Sequence, residues 1–169
     1  AAVPFLWVAP LGLYLVTFIV AFSNANLYRR RAVHLIWVAC TVALGIDFFR
    51  QATASLGQQV AVLLSGLCAA CMYCHGELAR LRPSPAQLSG FYLWIAAGGA
   101  AGSLFVALLA PMLFTGFFEL PIAVAAVHVL TLWVLAAEPD PLRRRSEMRT
   151  AWLGIGLCMP LVVATLWVQ

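Results

Sequence analysis

Long apolar stretches alternate with short polar ones along this chain, and the apolar stretches share a common length. A helix needs roughly 20 apolar residues to cross the hydrocarbon layer of a bilayer. Six stretches fit: 4–22, 33–49, 57–75, 90–113, 116–136 and 150–168. None alternates apolar and polar residues as a barrel strand does. The pattern predicts an all-α fold, a polytopic transmembrane helical bundle of about six spans in a single domain over 1–169. The largest polar connections, 80–89 and 138–149, are too short to bury a core of their own.

Composition agrees. Hydrophobic residues make up 64% of the 169 positions and charged ones 9%, against about 25% charged in a soluble domain. Lipid is therefore the expected partner, and no nucleic acid is expected. The chain starts at Ala1 without an initiator Met or a basic leading segment, so the start does not read as a signal peptide. A processed chain or one segment of a longer protein fits that start. Five cysteines, all within or bordering apolar spans, do not make a secreted disulfide framework.

The basic residues orient the bundle. Arg29, Arg30 and Arg31 follow the first span, Arg80 and Arg82 the third, and Arg143, Arg144, Arg145 and Arg149 the fifth. Only Arg50 lies elsewhere, and there is no lysine. Short loops rich in arginine stay on the cytoplasmic side, so both termini are expected outside. A bacterial inner membrane is the expected location.

Within the spans, Pro10 is expected to bend the first helix. Trp7, Tyr28, Trp37, Tyr92, Trp94, Trp152 and Trp167 lie near span ends, where aromatic rings anchor helices at the interface. Gly98 with Gly102, and Gly99 with Ser103, place small residues on one helical stripe that suits close helix packing. Ser65 with Ala69, and Gly66 with Ala70, could supply a matching stripe on the third span. His128, mid-span, reads first as a hydrogen-bonded interior histidine, with a proton relay or haem ligand as alternatives. Asp47 and Arg50 are spaced to pair, and Glu119 could join them in an outer charged cluster, either a local ion pair or a cation site.

Cys71-x-x-Cys74-His75 has the spacing of a c-type haem attachment site. Arg80 and Arg82, a few residues on, place it on the cytoplasmic side, whereas such attachment belongs on the other face; no cofactor is expected. Zinc is disfavoured because Cys68, Cys71, Cys74 and His75 follow one another on a single helix. Packed thiols or a redox thiol pair remain. His75, Glu77, Arg80 and Arg82 are expected to form a polar cluster at the cytoplasmic helix end.

The run Cys74-His75-Gly76-Glu77-Leu78-Ala79-Arg80-Leu81-Arg82-Pro83 resembles an element of membrane-integral spermidine-synthase-like proteins. Phe91-Tyr92-Leu93-Trp94, the glycine stripe, the opening Val3–Leu15 run and Phe118-Glu119-Leu120-Pro121 resemble further segments of that family, in the same order. Ser103 stands where the family often has another glycine. The resemblance implies a multi-helix membrane region joined to a cytoplasmic domain like the polyamine aminopropyltransferases. These 169 residues contain no such domain, so no catalytic residue is assigned and the chain alone is not expected to be catalytic. An anchoring or scaffolding module is the first reading. A non-catalytic subunit of a larger membrane complex, half of a small-solute transporter, or a haem protein are the others. Expected partners are other membrane subunits or a cytoplasmic transferase-like domain. A polyamine site within the chain is poorly supported, because Asp47 and Glu119 are expected on the face opposite Glu77, Glu138, Asp140 and Glu147.

Overall fold

A computed structural model describes residues 5–23, 27–50, 53–114, 116 and 118–167, with backbone alone at 5–7, 143 and 157–167. The described residues are mostly helical, without strands. The helices are α1 (Phe5–Ser23), α2 (Arg30–Phe49), α3 (Leu56–Arg80), α4 (Leu88–Leu104), α5 (Ala110–Leu113), α6 (Glu119–Ala136) and α7 (Pro141–Trp167). Four helical stretches are long and apolar enough to cross a membrane: Arg30–Phe49, Leu56–Arg80, Pro85–Leu113 and Glu119–Ala136. A shorter apolar run, Val8–Ser23, lies in α1. The span limits Pro4 and Val168 and the side chains of Trp7 and Trp167 lie outside the described residues.

Local chemistry sets several boundaries. Ser55 caps α3 through a reciprocal pair with Gln58, its hydroxyl accepting from the Gln58 N–H. Asp140 accepts from the Leu142 N–H at 3.0 Å ahead of Pro141, an acceptor followed by a proline at the first helical position. The helix between α4 and α5 widens to a π-turn at Phe105–Leu109. Pro111 follows; its ring would collide with the carbonyl of Ala107, four residues earlier, and the wider turn accommodates it.

The arginine clusters therefore occupy helix ends as well as loops. Arg30 and Arg31 open α2, Arg80 closes α3, and Arg143–Arg149 ride on α7, which starts nine residues before the expected span. Arginine is a good helix former, so the helix continues after the apolar pattern stops.

Helix α3 packs between α1 and α2, α2 also meets α7, and α7 meets α6. The core is Trp37, Leu44, Ala69 and Val124. Trp37 is 2% exposed, its ring 5.2 Å from that of His128; it is a core residue rather than the expected interfacial anchor, because it sits two turns inside α2. Tyr28 is buried too. Tyr92, Trp94 and Trp152 are exposed, as lipid-facing rings would be.

The glycine stripe of α4 does not pack as expected within the described residues. A Cβ added at Gly98, Gly99 or Gly102 would meet nothing within 4 Å, and the Ser103 hydroxyl bonds back to the Gly99 carbonyl at 2.9 Å. The small stripe on α3 faces α2 instead: a Cβ at Gly66 would lie 2.9 Å from Leu44, and the Cys40 thiol reaches the Ser65 carbonyl. Among the described residues, aromatic contacts tie α4 to α1, with Phe91 and Tyr92 ring centroids 6.4 and 6.3 Å from Phe22.

Candidate functional site

At the arginine-rich end, one buried guanidinium gathers carboxylates from three places in the chain. Arg30, in the first turn of α2, is 9% exposed. Its Nη2 donates to Glu77 Oε2 at 3.1 Å. Its Nε lies 2.9 Å from Glu77 Oε1, off the N–H direction, so that contact is ionic rather than a directed hydrogen bond. Its Nη1 donates to Glu138, just past α6, and its Nε lies 3.9 Å from Glu147 on α7. Removing charges from water costs several kcal/mol per ion, about the size of the loss when one partner is deleted. Such a cluster therefore persists only where the partners are held in place.

The backbone supplies part of that hold. An arginine in the first turn of α2 meets the positive end of the helix dipole, and Glu77 in the last turn of α3 meets a negative end. Bringing the two together removes both conflicts. Glu77 also accepts from the Tyr28 hydroxyl at 2.7 Å and pairs with Arg80 at 3.4 Å. The Tyr28 ring lies against Gly76, where an added Cβ would come within 2.2 Å of ring carbons. Glycine is needed there so that the ring can approach the helix backbone. Burial, followed by the nearby Glu77 carboxylate, pushes the Tyr28 phenol above its ordinary pKa, so it stays protonated and donates.

The expected cytoplasmic cluster of His75, Glu77, Arg80 and Arg82 divides. Glu77 and Arg80 belong to the Arg30 network. His75 faces the other way, because two residues on a helix turn the side chain through about 200°. Its Nδ1 lies 3.1 Å from the Thr17 hydroxyl on α1, and its ring packs edge-on to Tyr14 and Phe18. Arg82 lies past the end of α3 and is exposed. Cys71 and Cys74 are free thiols on α3.

At the opposite end, Asp47 and Arg50 line one cavity of about 440 Å³ with Gln58. Among the described residues they form no ion pair; Arg50 caps α2, its N–H donating to the Ile46 and Asp47 carbonyls. Glu119, at the start of α6, is not in that lining. Deeper in the bundle, His128 is buried with Nδ1 2.9 Å from the Val124 carbonyl, and the ring of His34 lies 5.8 Å from that of Tyr73.

Sequence reasoning missed the central member, Arg30, and its partners Glu138, Glu147 and Tyr28. One signal was available: an arginine and three glutamates border apolar spans on the same predicted side. No protein-family model, curated protein or solved structure matches this chain.

Proposed function

We propose that this chain is a membrane module similar to the membrane region of spermidine-synthase-like proteins, anchoring or scaffolding a soluble partner at its arginine-rich end. The observation that carries the reading is the buried Arg30 network, which ties the ends of α2, α3, α6 and α7 into one stiff platform. Gly76, Glu77 and Arg80, from the run that resembles that family, are three of its parts. The platform faces the cytoplasm in this reading, with both termini outside and a bacterial inner membrane as the setting. A transferase-like domain would do the chemistry, and the platform would hold it. Two cavities among the described residues, about 700 Å³ among Tyr28, Arg29 and Arg80 and about 440 Å³ at Asp47, lie at the two ends of the bundle. A scaffold would meet its partners there, whereas the site of a carrier lies near the midplane.

Co-expression tests this. A soluble aminopropyltransferase-like domain expressed with the chain is expected in the membrane fraction, and Glu77→Ala is expected to release it. If the domain stays soluble beside the unaltered chain, the anchoring reading fails. A second reading, a non-catalytic subunit of a larger membrane complex, draws on the open surface around Gly98, Gly99 and Gly102. It gains if bulky residues there prevent assembly while Glu77→Ala does not.

A further inference from the structure

The first turns of α7 carry a second charged feature that the Arg30 network does not use. Pro141, Arg144, Arg145, Met148, Arg149 and Trp152 line a shallow cavity of about 420 Å³. Their spacing of three, four, seven, eight and eleven residues puts them on one helical face. The other face is docked: Glu147 and Ala151 are buried, and a Cβ at Gly154 would lie 2.8 Å from His128 Nε2. The arginine face therefore points away from the bundle.

Its charge is uncompensated. No carboxylate lines the cavity, and Arg144, Arg145 and Arg149 are exposed and form no ion pair among the described residues. The larger cavity nearby differs, because Asp140 and Glu147 share its lining with the arginines and Arg30 is already engaged. Trp152 is 60% exposed and stands where the arginines give way to the apolar remainder of α7. Tryptophan at that position marks the interface of a bilayer, and arginine beyond it meets the headgroups. Planar guanidinium groups suit phosphate oxygens.

We propose that this face of α7 binds the phosphate of an anionic phospholipid in the leaflet on the arginine-rich side. Arg144, Arg145 and Arg149 hold the phosphate, while Met148 and Trp152 lie against the upper acyl chains. Each arginine near an anionic surface contributes about five-fold in binding.

Native mass spectrometry of the full chain in a neutral detergent tests the site, with phosphatidylglycerol or phosphatidylcholine added. The expected result is retention of phosphatidylglycerol about ten-fold or more over phosphatidylcholine, weakening as salt rises. R144Q/R145Q/R149Q is expected to erase the preference, R144K/R145K/R149K to keep most of it, and R29Q/R31Q to leave it in place. If the triple glutamine variant does not fold, R149Q and the salt series on the unaltered chain carry the same test. Equal retention of the two lipids overturns the proposal. So does an equal loss in R29Q/R31Q, which would make the effect one of overall charge. Displacement of bound phosphatidylglycerol by millimolar inorganic phosphate also overturns it, in favour of a free-anion site.

Discussion

At the scale of single residues, Glu77 carries the most. It accepts from Tyr28 and Arg30 and pairs with Arg80. Glu77→Ala leaves Arg30 short of its main partner, and deleting one member of a buried pair costs about 3–5 kcal/mol. A fall of that size is expected in thermal unfolding of the purified chain. Arg80→Ala is expected to cost less than about 1 kcal/mol, because its side chain is 42% exposed. Tyr28 gives a pH signature. Its folded-state pKa lies above the unfolded value of 10.0, so its contribution is complete below that pH and is lost as pH rises beyond it. Unfolding measured on either side of pH 10 should show a steeper alkaline loss in the unaltered chain than in Tyr28→Phe. Of this network, Glu77 and Arg80 were legible from adjacency on one helix. Arg30 was not, because its partners Glu77 and Glu138 are 47 and 108 residues away and only packing brings them together. His75 departs from the expected cluster for a simpler reason: neighbours in sequence on a helix point in different directions.

At the scale of helices, the apolar pattern marks where helices run but not where they end. Apolar periodicity ends where hydrocarbon ends, but hydrogen bonding along the helix does not. Asp140 and Pro141 mark the true start of α7, and that cap signal was readable. The glycines separate into two kinds. Gly154 sits 2.8 Å, by its added Cβ, from His128 and 3.1 Å from Val38, so it sets how closely α7 approaches α6 and α2. Gly98 and Gly102 border open space. Gly154→Leu is expected to lower stability by about 1–3 kcal/mol through overpacking. Gly98→Leu and Gly102→Leu are expected to stay within about 0.5 kcal/mol in the isolated chain. Thermal unfolding of the three variants side by side checks the contrast. Small residues on a stripe tell that a close approach is possible, not which surface makes it.

At the scale of the molecule, the fold class followed from hydropathy, because only helices or closed barrels satisfy the backbone within lipid. The interior did not follow, because interfacial and core tryptophans look alike in sequence; Trp37 differs from Trp152 only in what packs around it. The Arg30–Glu77 pair is the clamp that draws the arginine-rich end together. A double-mutant cycle tests it most directly, with Arg30→Ala, Glu77→Ala and the double variant compared by unfolding of the full chain. The expected result is strong coupling, the double variant losing at least about 2 kcal/mol less than the sum of the single losses. Additive losses within about 0.5 kcal/mol would contradict the clamp.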